Sequence, residues 1–153
     1  MRKYLTLSVA AALLVISLPA GAAEFEIKML NKGAGGAMVF EPSLLKIASG
    51  DTVKFVATDR THNAESIAGM LPEGAKKFAG KINEEITVTF EQPGIYGIKC
   101  LPHYGMGMVA MIVVGTPANE EQAKAVTHPG AAKQIFAALF SRFEATRTAA
   151  KQK

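Results

Sequence analysis

Cys100, His103, Met106 and Met108 fall within nine residues of this 153-residue chain, in the run Lys99-Cys100-Leu101-Pro102-His103-Tyr104-Gly105-Met106-Gly107-Met108. Cys100 is the only cysteine, and His103 is one of three histidines. A thiolate, an imidazole and thioethers form a soft to borderline donor mixture that suits copper better than any hard cation. Two imidazoles, one thiolate and a long axial thioether are the known donor set of copper electron-transfer sites. The loop holds one histidine, so a second must come from elsewhere. His62, in the polar segment Asp59-Arg60-Thr61-His62-Asn63, supplies it.

Each of these residues has a plainer reading. A lone histidine is usually a surface or satisfied core residue, and a lone methionine is usually packing. His128, beside Pro129, is read that way and given no role; Met29, Met38, Met70 and Met111 are read as core or patch residues. The joint pattern of Cys, two residues, His and a Met-containing loop favours copper. A cysteine nucleophile would need an exposed Cys–His pair in a cleft. A structural zinc site would prefer closed Cys/His sets without Met. A copper storage protein would favour flexible sites over one held by strands. The chain is read as a non-enzyme.

The N-terminus reads as an export signal. Met1-Arg2-Lys3 is basic, Leu5 to Leu18 is apolar, and Pro19-Ala20-Gly21-Ala22 offers small residues for cleavage. The apolar run is short for a membrane span. Removal of residues 1–22 leaves 131 residues, enough for one core. Exported proteins usually pair their cysteines, so an unpaired Cys100 is best explained as a ligand. Without Arg2 and Lys3, 17 basic residues become 15 against 13 acidic, a net +2. No dense basic stripe argues for nucleic acid.

The elements that must position these ligands read as short strands. Glu24 to Met29 alternates, with Phe25, Ile27 and Met29 on one face, and Asn31 to Gly36 breaks it as a loop. Ala37 to Phe40, Leu44 to Ala48, Thr52 to Ala57, Ile86 to Phe90, Ile95 to Cys100 and Met108 to Val114 follow, with turn residues between them. Tyr96, Ile98 and Cys100 share the inward face, while Lys99 points out. The run from Ala64 to Asn83 is irregular. This pattern describes an antiparallel sandwich. Beyond Pro117, Asn119 is expected to cap a short helix with Gln122 three residues on. A second helix carries an apolar ladder of Ile135, Leu139 and Phe143, with Phe136 and Phe140 beside it, to pack on the sandwich.

These motifs together resemble the cupredoxins. The resemblance rests on Met29-Leu30-Asn31-Lys32-Gly33, Ala37-Met38-Val39-Phe40-Glu41-Pro42, Gly50-Asp51-Thr52-Val53, His62-Asn63, Pro72-Glu73-Gly74-Ala75, Lys81-Ile82-Asn83-Glu84 and Pro102-His103-Tyr104 through Met108. It implies an all-β, eight-stranded Greek-key sandwich at residues 23–118, with two C-terminal helices at 119–153. It implies type 1 copper cycling between Cu(I) and Cu(II), held by His62, Cys100, His103 and Met108. Short-looped members place the axial Met three residues after the His, which would be Met106. Longer loops place it five after, at Met108, and a strand-anchored residue makes the more precise site. Met106 then joins Met38, Pro42 and Pro102 in an apolar rim around an exposed His103 edge. Lys32, Arg60, Lys76, Lys77 and Lys99 would steer an acidic partner. The implied role is a monomeric periplasmic electron shuttle. It takes electrons from an upstream donor and serves copper nitrite reductase or a related respiratory enzyme. It does not insert into the membrane once the signal is removed. Relatives commonly carry Thr at the position of Leu101; its hydroxyl could tie the loop to Asn63, so Leu101→Thr is expected to alter copper behaviour.

Overall fold

The computed structural model describes residues 21–152; most of the expected signal, residues 1–20, lies outside the described residues. Alternation in Glu24–Gly33 (β1) buries Ile27 and Met29 and leaves Glu24, Glu26 and Lys28 in water, as a half-buried strand requires. The strands Gly36–Glu41 (β2), Thr52–Val56 (β4) and Ile86–Thr89 (β6) join it in one sheet of order β2-β1-β4-β6. The second sheet contains Leu44–Ile47 (β3), Glu65–Ser66 (β5), Gly94–Lys99 (β7) and Val109–Val114 (β8), in order β3-β8-β7-β5. The eight-stranded sandwich and its two helices, Glu120–Lys124 (α1) and Ala132–Lys151 (α2), match the expected architecture.

Three local expectations change. The sandwich is mixed: β1 runs parallel to β4 and β3 parallel to β8. The chain crosses between sheets after β2, β3, β4, β5 and β6, and side-chain alternation carries no record of strand direction. β1 continues through Asn31-Lys32-Gly33, so the expected loop shrinks to a tight hairpin turn before Gly36. Inside the irregular run, Glu65 and Ser66 pair with Lys99 and Ile98 as a two-residue edge strand. It is too short to leave a periodic signal.

β8 explains why its sequence is apolar on both faces. Ala110, Ile112 and Val114 point into the sandwich with Tyr96, Ile98, Cys100 and Met108. Val109, Met111 and Val113 point the other way, against Phe136, Leu139, Phe140 and Phe143 of α2. The helical stripe therefore packs on the sheet, as expected, but its centre lies at Phe136 and Phe140. Ile135 sits at the rim and is 38% exposed. Among the described residues no helix is long and apolar enough to cross a membrane.

Asn119 does not cap α1 with its side chain. Its Oδ1 accepts the Ile95 amide at 2.7 Å and its Nδ2 donates to the Ile95 carbonyl at 2.9 Å. The residue thus serves both backbone groups of one buried strand position, a stronger demand than an exposed helix end. Lys124 then bonds Glu120 at 2.8 Å and Glu144 at 2.6 Å, while Arg147 reaches Glu120 at 2.9 Å, fastening α1 to α2. Asn119→Ala leaves a buried N–H and C=O without partners, and should cost about 2–3 kcal/mol in urea unfolding. A loss under about 0.5 kcal/mol would contradict the role assigned to Asn119.

Candidate metal centre

The inward face of β7 ends at Cys100, which is fully buried; its neighbour Lys99 turns out and pairs with Glu65 at 3.0 Å. The loop that follows closes on itself. The Cys100 amide donates to the Met108 carbonyl at 3.0 Å, and the His103 amide to the Cys100 carbonyl at 3.2 Å. A 3₁₀ turn at Tyr104–Met106 reverses the chain, and Gly107 leaves it at φ 94°, a conformation natural only to glycine. These bonds aim the Cys100 and His103 side chains at one point.

His62 reaches that point from the segment after β4. Thr61 donates its amide to Asn83 Oδ1 at 2.6 Å, and the Asn83 amide donates to the His62 carbonyl at 2.8 Å, so the 83 loop clamps the histidine backbone. His62 Nε2 lies 2.9 Å from Asn31 Oδ1, which fixes the tautomer with the proton on Nε2 and leaves Nδ1 bare. Asn31 is itself held by its amide donating to Asp59 at 2.7 Å. Asn31, Asp59 and Asn83 stand in motifs quoted above, but nothing in the sequence marks them as supports of His62.

His62 Nδ1 and His103 Nδ1 are 3.1 Å apart, and Cys100 Sγ is 3.8 Å from the first and 3.5 Å from the second. In the plane of these three atoms the equidistant point lies about 2.0 Å from each, so the three donors are spaced for a transition metal rather than for calcium. Among the described residues these three form the one group of His, Cys, Asp or Glu side chains close enough to share an ion. Burial pushes the Cys100 thiol above its usual pKa, against the Asn63 and His103 amides that favour the thiolate. Burial, and then the nearby His103, push His62 down, keeping its ring neutral and available as a donor. A thiol and two imidazole nitrogens at this separation fit a soft transition metal.

Two solved structures share this arrangement of strands. A pseudoazurin from Sinorhizobium is 49% identical, with a TM-score of 0.78 over 80% of this chain and 97% of that one. The pseudoazurin of Methylobacterium extorquens AM1 is 45% identical, with a TM-score of 0.76 over 78% of this chain and 98% of its own. Pseudoazurin from Paracoccus pantotrophus is 50% identical over 126 residues, 82% of this chain and 87% of that protein. Residues 27–115 match the profile of the copper binding proteins of the plastocyanin/azurin family. The chain belongs to the pseudoazurins. Copper is therefore the metal of this donor set.

Met108, expected as the axial ligand, is fully buried beside Cys100 in the core, and its own amide donates to the His103 carbonyl at 3.2 Å. Met106 is 58% exposed on the 3₁₀ turn, as a rim residue should be. Leu101, 56% exposed, adds to that apolar rim together with exposed Pro102. Of the expected steering cations, Lys32, Arg60, Lys76 and Lys77 are exposed. Lys99 is instead occupied by Glu65 and lies over the Tyr104 ring.

The tie between the loop and Asn63 survives without a hydroxyl at position 101. The Leu101 backbone amide itself donates to Asn63 Oδ1 at 2.7 Å, while Asn63 Nδ2 donates to the Gly80 carbonyl at 3.0 Å. This bond is made by the backbone and does not depend on the side chain at position 101. Asn63 is 3% exposed, so Asn63→Ala should destabilise the copper-free protein by about 2–3 kcal/mol. Leu101→Thr should move it by less than about 0.5 kcal/mol, both read by thermal unfolding.

Proposed function

We propose that this pseudoazurin is a periplasmic one-electron carrier rather than an enzyme, with copper held by His62, Cys100, His103 and Met108. The convergence of His62 Nδ1, His103 Nδ1 and Cys100 Sγ from two separate parts of the chain carries this reading. Bound copper supplies a single electron at a time, shuttling between Cu(I) and Cu(II). The protein's own part is to keep its donors still. His62 is clamped through Asn31 and Asn83, Cys100 through the Met108 carbonyl, and Met108 through the His103 carbonyl. Ligands held by the fold rearrange little when the metal charge changes, which favours fast transfer.

His103 is half-buried, with exposed Leu101, Pro102 and Met106 close in sequence. A dry apolar rim of this kind lets a partner approach the His103 edge. Small interfaces with weak affinity are the rule for such encounters. The acceptor is a copper nitrite reductase or a related respiratory enzyme, with a separate upstream donor, and the carrier acts as a monomer. Residues 1–22 serve as the cleaved export signal, 23–118 as the copper-binding sandwich and 119–153 as its helical extension.

Addition of Cu(II) to the exported protein should produce an intense blue colour that reductant bleaches reversibly; a colourless product would remove the carrier reading. Met108→Leu should change that spectrum and Met106→Leu should leave it intact, whereas the reverse result would move the axial ligand to Met106. With Lys32, Arg60, Lys76 and Lys77 as steering charges, electron-transfer rates to an acidic partner should fall as salt rises. A flat dependence on ionic strength would show those charges to be merely solvated.

A further inference from the structure

The ligand loop is braced from outside by the segment that leads into α2. Tyr104, the residue after His103, places its hydroxyl 2.6 Å from His128 Nδ1. The other partner of the His128 ring is Phe136, stacked at 4.2 Å with the planes inclined by 27°. Phe136 is buried in the core beneath α2, so His128 links that core to the loop. Two further contacts follow the same line. The Ala131 amide donates to the Gly105 carbonyl at 2.9 Å, and Gly107 lies against Ile135 and Ala131. Gly130, at φ 51°, passes so close that a Cβ there would overlap the Gly105 carbonyl.

We propose that His128 is a positioning residue for the copper site, holding the turn that carries His103 through its hydrogen bond to Tyr104. The turn at Tyr104–Met106 is three residues long; apart from the Ala131 amide on the Gly105 carbonyl, its backbone bonds are short-range ones within the loop. Short 3₁₀ segments have poor hydrogen-bond geometry and gain most from outside support. At 2.6 Å the phenol oxygen and Nδ1 share one hydrogen bond. A brace on Tyr104 transmits to His103 through one peptide unit, and so limits how far that ligand moves when the metal changes oxidation state.

The inference rests on His103 being a ligand. Reading the loop in the copper-free chain tests the brace, while copper colour tests the ligand, so the two can fail separately. His128→Phe keeps a ring over Phe136 and removes the hydrogen-bonding nitrogen. His128→Asn loses the ring but places Oδ1 where the imidazole carries Nδ1. By amide hydrogen exchange, Met106 and Gly107 should exchange about fivefold faster or more in His128→Phe, the factor matching one ordinary hydrogen bond. They should stay within about twofold of the parent in His128→Asn, with β1 and β4 amides unchanged in both. Tyr104→Phe should reproduce the His128→Phe effect, and the double variant should add nothing to it. Once loaded with Cu(II), His128→Phe should show an altered absorption spectrum and His128→Asn the parental one. Unchanged exchange or spectrum in His128→Phe, equal loosening in both His128 variants, or acceleration that extends to β1 and β4 would overturn the proposal.

Discussion

The hydrogen bond from the Cys100 amide to the Met108 carbonyl closes the loop on which the site depends. It extends the β7–β8 ladder by one step beyond Lys99 and Val109, so the rigidity of a sheet reaches the first and last residues of the loop. Everything between those residues must then turn back within a short span. Gly107 in the left-handed region and a 3₁₀ turn make that possible. Cys100 points into the core because strand alternation puts it on the same face as Tyr96 and Ile98. A ligand at the end of a buried strand has little freedom left to lose when it binds metal.

The third donor shows a different solution. His62 belongs to no regular element; its ring is held by the Asn31 side-chain amide, and its backbone by the Asn83 backbone amide, with the Asn83 side chain on the neighbouring Thr61. Asn31, Asn63 and Asn83 each join parts of the chain at least 17 residues apart. An amide side chain offers both a donor and an acceptor without carrying charge, so it can serve a buried, irregular segment at low desolvation cost. Among the described residues no buried side-chain nitrogen or oxygen is left without a partner.

The helices complete the scaffold from outside. α2 covers the outer face of β8, so Val109, Met111 and Val113 are buried on a side that would otherwise face water. Burial of this apolar surface against α2 stabilises the second sheet. The same helix begins beside Gly105 and Gly107, which couples the outer core to the ligand loop. Packing and site geometry meet there.

The strand alternation, the inward Cys100, the amphipathic stripe of α2 and the donor set were legible in the sequence. Each depends on residue type and a short local period, which sequence preserves. Strand direction was not legible, because a parallel and an antiparallel partner present the same alternation; β1–β4 and β3–β8 were decided only by the crossovers between sheets. Asn119 read as a helix cap by position, yet the buried Ile95 backbone had the stronger claim on it. Leu101 suggested a missing hydroxyl, although its own backbone amide makes the bond to Asn63. His128 carried no local signal whatever, and acquired a partner only when the chain after α1 folded back against Tyr104. The sequence by itself determined which atoms could bind copper. Only the tertiary structure decided what holds them in place, since those contacts join residues that no local pattern connects.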